Sequence, residues 1–326
     1  MSAVRDSVLS PADSAATPLV AADGRPVAIV HLAAELAPFA RTGGLGEAVA
    51  SIARFQAASG VPTSVVMPLY GAVRDRRVPM IAVGEPFDVT VGTRRSSARL
   101  YRYTPATDST DALQPRIYFI ESAEYFDRPG IYGEAGADYA DNPRRYGFFC
   151  LAALAALPRI ATTPLILHAH DWQAALAPIY LRTRHSRDPF YQQVSTVLTV
   201  HNAGYQGQFE HRTMVELGLP GELFNWRQLE WHGRVNILKG GLVFADMVTT
   251  VSPTHAYELR TPAGGFGLDG VFVALRDRFV GITNGIDQRV WNPATDPQIP
   301  STYSVDSLAG KRDFTNVSAS LAAFQV

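Results

Sequence analysis

From about residue 27 onward, short continuous apolar runs alternate with segments whose apolar positions recur every three to four residues. That rhythm predicts buried parallel strands joined by helices. The runs at 27–32, 63–67, 116–120, 165–169, 195–200, 247–251 and 279–282 read as strands. After Glu47, the positions of Val49, Ile52, Ala53 and Phe55 have helical spacing. The stretch 89–103 alternates apolar and polar and carries Arg94, Arg95 and Arg99. It predicts an antiparallel hairpin at one sheet edge. Residues 1–26, rich in Ala, Ser, Asp and Pro, show no hydrophobic period and read as a disordered leader.

The polar residues of interest fall at the C-terminal ends of these runs, where a parallel sheet places its ligand crevice. After the first run come Arg41, Gly43, Gly44, Gly46 and Glu47. Glycines there let the backbone turn sharply, expose N–H groups at a helix start and admit a ligand closely. The spacing is neither G-x-G-x-x-G nor a Walker loop. It fits phosphate or sugar binding, and equally a plain strand-to-helix turn. His168 and His170 end the fourth run, His201 and Asn202 the fifth, and Ser252 and Thr254 the sixth. Taken singly each histidine fits a structural group; their shared rim points to a ligand role. Asp171 reads as the N-cap of a helix beginning near Trp172, which packs beneath it. Asp141-Asn142-Pro143 reads as another helix start, with Pro in the first turn.

Composition narrows the classes. Charged residues make up 18% of the 326, and the net charge is −1. That leaves no basic field for nucleic acid. Cys150 is the sole cysteine, so no intramolecular disulfide forms, which suits a reducing compartment. Its apolar neighbours place it in a buried helix. The eight histidines form no H-E-x-x-H pattern and have no second cysteine, so no metal site is expected. No apolar run approaches a membrane span and no secretory signal precedes the first strand, so the expected location is cytoplasmic.

The segment at 41–49 resembles the K-T-G-G-L-G-D-V signature of bacterial glycogen synthases and plant starch synthases, with Arg41 at the lysine and Glu47 at the aspartate. Further segments agree in order: Y-F-D-R-P-G-I-Y-G at 125–133, H-A-H-D-W at 168–172, T-V-H-N-A-G-Y-Q-G at 199–207, K-G-G-L-V-F-A-D at 239–246 with V-S-P-T at 251–254, and G-I-T-N-G-I-D at 281–287 with W-N-P at 291–293.

The resemblance implies an α/β fold, a single Rossmann-like parallel-sheet domain that is the N-terminal half of a GT-B glycosyltransferase. It implies a retaining enzyme that moves glucose from ADP-glucose to the 4-hydroxyl of an α-1,4-glucan, with no metal or other cofactor. His170, supported by His168, and Asp141 would be catalytic. Arg41, Gly43 and Gly44 would hold the donor phosphates, while Glu47, His201, Asn202 and Tyr205 would hold sugar. Arg keeps the lysine charge but presents a planar fork. The acceptor-side catalytic domain is expected over 27–311, with 312–326 a truncated tail. Transfer would then need a separate C-terminal donor-binding domain. A catalytically silent α-glucan-binding or regulatory paralogue is the alternative. No nucleic-acid or membrane partner is implied.

Overall fold

The computed structural model describes residues 19–105, 114–287 and 291–312. Most of the expected leader and nearly all of the expected tail lie outside them. One compact unit ends at Asn284 and a second begins at Gly285, so the expected boundary at 311 falls inside the second.

In the first unit, the described residues form a sheet of ten strands. In chain order they are β1 (Ala28–Leu32), β2 (Thr63–Pro68), β3 (Met80–Ala82), β4 (Phe87–Val91), β5 (Arg94–Tyr103), β6 (Arg116–Glu121), β7 (Leu165–His170), β8 (Val194–Val200), β9 (Met247–Thr250) and β10 (Phe279–Gly281). The spatial order is β10-β9-β8-β7-β1-β2-β6-β5-β3, with β4 paired to β5. Every pairing from β10 through β6 is parallel, while β5 runs antiparallel to β6, β3 and β4. The expected edge hairpin is therefore present, and each expected parallel strand is found.

The apolar runs are explained by double-sided burial. β1 and β2 are buried at every position, as parallel strands covered on both faces must be. The main helices are α1 (Gly44–Ala58), α2 (Asn142–Ile160), α3 (Asp171–Ala174), α4 (Leu176–Arg184) and α5 (Ile237–Phe244). Helix α2 is buried along most of its length and is central to the core. Cys150 sits there, fully buried, with its Sγ donating to Gln173 O at 3.4 Å, and burial pushes its thiol up, which makes it inert.

Residues 19–26, the end of the expected leader, are folded. Val20 and Pro26 form a β-bridge, Val27 N donates to Leu19 O at 2.8 Å, and Arg25 reaches Thr163 O and Gln193 Oε1. In the second unit, Tyr303 N donates to Pro293 O at 3.0 Å. No helix among the described residues is long and apolar enough to cross a membrane.

Candidate functional site

Because β1, β7 and β8 are adjacent and parallel, the segments leaving their C-terminal ends share one edge of the sheet. The first such segment is the glycine-rich turn leading into α1. It is held by Glu35, which is 3% exposed. The Glu35 carboxylate accepts from Thr42 N at 2.6 Å, Thr42 Oγ1 at 2.8 Å, Gly43 N at 3.4 Å and the Tyr132 hydroxyl at 2.6 Å. The Thr42 and Gly43 N–H groups thus already face an anion. The N–H groups of Gly44 and Leu45, which head the helix and cannot bond within it, take no partner among the described residues.

The glycines divide by environment. A Cβ at Gly43 or Gly44 would meet nothing within 4 Å, and neither residue has a left-handed φ. These two glycines therefore leave open space at the helix start. Gly46 is the tight one, where a Cβ would lie 3.2 Å from Arg41 Cβ and 3.3 Å from both Ala37 N and Ala40 O. Arg41 is exposed and pairs with Glu47. A ligand anion would compete with that carboxylate for the guanidinium.

The second segment carries the histidines. In-register pairing sets His31 of β1 beside His168 of β7, and the period of two puts His168 and His170 on one face. The ring centroids of His168 and His170 are 4.3 Å apart, and those of His31 lie 4.8 and 5.3 Å from them. His201 Nε2 lies 3.0 Å from His170 Nδ1, His170 Nε2 lies 2.9 Å from His31 Nδ1, and His31 Nε2 lies 2.7 Å from Gln56 Oε1. His168 Nε2 instead meets Thr199 Oγ1 at 2.6 Å, which meets Thr249 Oγ1 at 2.6 Å. Burial holds His31 and His201 down to about 4. Burial, and then the neighbouring histidines, hold His168 and His170 well below the usual imidazole value.

His31, His168 and His170 offer nitrogens within 4.8 Å of one another, a spacing that invites a metal reading. Their hydrogen bonds oppose it. Both nitrogens of His31 and of His170 are engaged, as is Nε2 of His168, which leaves one open nitrogen among the three.

Asp171 is not the cap that its position suggests. It lies inside α3 with φ of 56°, and its carboxylate accepts from His201 N at 2.7 Å and Asn202 N at 3.4 Å. It ties the end of β7 to the segment after β8. A left-handed aspartate is a sparsely populated conformation, of the kind that concentrates at functional sites. Burial pushes its carboxyl up to about 7. Beyond it, Asn202 Oδ1 accepts from Gly204 N at 2.9 Å, Tyr205 is 69% exposed, and Gly207 adopts φ of +62° with Trp172 lying where a Cβ would be. Trp172 packs edge-on against Tyr146.

Asp141 occupies the N-cap position of α2, but its side chain makes no capping hydrogen bond. It is clamped instead by Arg128, whose Nη1 and Nη2 donate at 2.7 and 2.6 Å. Burial raises this carboxyl, but the Arg128 hydrogen bonds and charge outweigh that and hold it below its ordinary value. The helix starts where expected, and Asp141 stands at its head as a held carboxylate rather than a capping one. The next residue connects it to the glycine-rich turn, since Asn142 Nδ2 donates to the carbonyl of Tyr132, whose hydroxyl reaches Glu35. Fully buried Arg145 pins the intervening chain through Tyr125 O and Ile131 O.

Sequence reading brought together His168, His170, His201 and Asn202, and the fold keeps them together; Arg41 and Glu47 pair, and Asp141 has its own partner. It missed Glu35, His31, Gln56 and Arg128. A histidine inside a fully apolar run and an acid heading a glycine-rich turn were the available signals. A groove of about 1200 Å³, bordered by Arg54, Arg102, Arg116 and Arg159, lies elsewhere and includes none of the expected site residues.

Residues 28–274 match the family model described as the starch synthase catalytic domain. The chain is 43% identical over 284 residues to a glycogen synthase of Syntrophotalea carbinolica and 40% identical over 283 residues to glycogen synthase 2 of Geobacter sulfurreducens. Each match covers 87% of this chain and 57% of the relative. Among solved structures, the catalytic domain of starch synthase IV from Arabidopsis thaliana bound to ADP and acarbose is similar with a TM-score of 0.76 at 31% identity, over 88% of this chain and 57% of that one. The chain thus spans little more than half the length of the relatives it matches.

Proposed function

Because this chain belongs to the starch synthase catalytic domain family, we propose that it forms the acceptor-side part of a retaining glucosyltransferase, moving glucose from ADP-glucose to the 4-hydroxyl of an α-1,4-glucan. The observation that carries this reading is the meeting, at one sheet edge, of an open glycine turn bearing a cation with a packed group of neutral histidines. Such a transfer must stabilise a departing diphosphate beside an oxocarbenium-like sugar, and preset charge and N–H donors do this without reorganisation.

In this reading Arg41 and the free N–H groups of Gly44 and Leu45 meet the diphosphate, and the empty space over Gly43 and Gly44 lets it approach. Glu47, Asn202, Tyr205 and His201 meet sugar hydroxyls. Asp141 is an acceptor held in its charged form by Arg128. His170, with both ring nitrogens engaged, acts through His201 rather than by touching the sugar with its ring, and His168 supports it. The ADP and acarbose of the Arabidopsis structure agree with a nucleotide and a sugar site. Further diphosphate contacts would come from a donor-binding domain such as the remaining length of the relatives supplies.

The test is calorimetry on the 326-residue chain with ADP and with maltoheptaose, alongside labelled-glucose transfer from ADP-glucose to glycogen. We expect measurable maltoheptaose binding, weaker ADP binding, and transfer by the chain alone lower by several orders of magnitude than with a donor domain added, because each missing charge-assisted contact costs about 1.5–3 kcal/mol. Absence of binding of both ligands at millimolar concentration would refute the reading.

A further inference from the structure

A neutral imidazole has one N–H and one lone pair, so a file of hydrogen-bonded imidazoles has a direction, and fixing one end fixes the other. The file here runs His201, His170, His31, Gln56, with contacts of 3.0, 2.9 and 2.7 Å. His31 and His170 are fully buried, so no water relays the contacts. Gln56 Oε1 can only accept. With the Gln56 amide set so that its oxygen faces the ring, His31 carries its proton on Nε2 and accepts on Nδ1. His170 in turn donates from Nε2 and accepts on Nδ1, and His201 donates from Nε2. The last nitrogen, His201 Nδ1, is left as a lone pair, and it takes no partner among the described residues. Protonating His31 or His170, whose nitrogens are both engaged, would set two donors against each other. The burial that keeps all three rings neutral is consistent with the file.

The geometry points to Gln56 as a positioning residue: through His31 and His170 it fixes His201 as a hydrogen-bond acceptor at the rim, addressed to a hydroxyl of the glucan. The second half of that statement rests on the proposed function; the direction of the file does not. Gln56 stands on α1, the helix that starts at the glycine-rich turn, and takes no part in the expected site. Its effect is carried wholly by the choice of tautomer.

The experiment uses the full chain labelled with 15N-histidine, and reads each ring's tautomer from two-bond proton–nitrogen spectra at pH 7. His31, His170 and His201 are expected as Nε2–H forms. Gln56→Glu, which keeps an acceptor, preserves that pattern. Gln56→Met, which fills similar volume without an acceptor, lets His201 populate the Nδ1–H form, and Gln56→Leu serves as a second probe if Met packs poorly. Maltoheptaose affinity should fall about three- to tenfold in Gln56→Met, the loss of one well-placed hydrogen bond, and recover in Gln56→Glu. An Nδ1–H form of His201 in the unmodified chain, or tautomers unchanged in both Gln56→Met and Gln56→Leu, would overturn the assignment. If the tautomers shift as expected but no variant binds maltoheptaose, the file stands and the glucan reading falls.

Discussion

Lowering the pH from 7 to 5 should destabilise this fold strongly, and the histidine group is the reason. In the unfolded chain the four imidazoles titrate near 6.5, whereas in the fold His31 and His201 are held at about 4 and His168 and His170 well below their usual value. The folded values are depressed, so the contribution is fully present above the unfolded value and is lost as pH falls toward the folded one. Between pH 7 and 5, each ring that stays neutral in the fold costs about 2 kcal/mol of stability, roughly 8 kcal/mol for four. Asp171 acts in the opposite sense. Its carboxyl, pushed up to about 7, takes a proton in the fold long before the unfolded chain does, and returns about 2 kcal/mol over the same interval. The net loss is roughly 6 kcal/mol, a large part of the 5–15 kcal/mol typical of a whole domain. Calorimetric melts at pH 7, 6 and 5 should show Tm falling by on the order of 10–20 °C. His168→Gln, which keeps a donor for Thr199, should flatten the profile by about one ring's share, roughly 2 kcal/mol. A Tm at pH 5 matching that at pH 7 would show that the rings titrate as solvated groups, and the buried file would be wrong.

Arg41→Ala should leave Tm nearly unchanged, since an exposed pair contributes about 0–1 kcal/mol, yet weaken ADP binding by about tenfold, with Arg41→Lys recovering much of it; equal ADP affinity by calorimetry would mark Arg41 as a plain surface charge. Gly44→Ala should be nearly neutral in stability but lower ADP affinity, whereas Gly46→Ala should cost about 1–3 kcal/mol because its Cβ crowds Arg41, Ala37 and Ala40; denaturant midpoints that rank the two the other way would contradict the environments described. Asp171→Asn, which keeps an acceptor and tolerates the left-handed backbone, should preserve the 201–205 segment, while Asp171→Ala should cost about 1–3 kcal/mol and speed amide exchange at His201 and Asn202; unchanged exchange in Asp171→Ala would mean that the carboxylate holds nothing.

The sequence by itself determined the sheet. Runs such as 27–32 and 63–67 are apolar at nearly every position because parallel strands are covered on both faces, and that requirement is local enough to read in one dimension. It determined as well that Arg41, His170 and His201 share an edge, because parallel strands bring their C-terminal ends to one side. What each side chain does there was decided by tertiary structure alone. Asp171 and Asp141 both stand where capping residues stand, yet one holds the backbone of the segment after β8 and the other is claimed by Arg128, thirteen residues earlier in the chain. His31 joins His170 across 139 residues of sequence, and Gln56 reaches His31 from the helix that the glycine-rich motif opens, at a position outside the motif. Periodicity reports which face a residue occupies. Hydrogen-bond partners depend on strand order and register, which long-range pairing sets, and so the chemistry of the rim exists only once β1, β7 and β8 lie side by side.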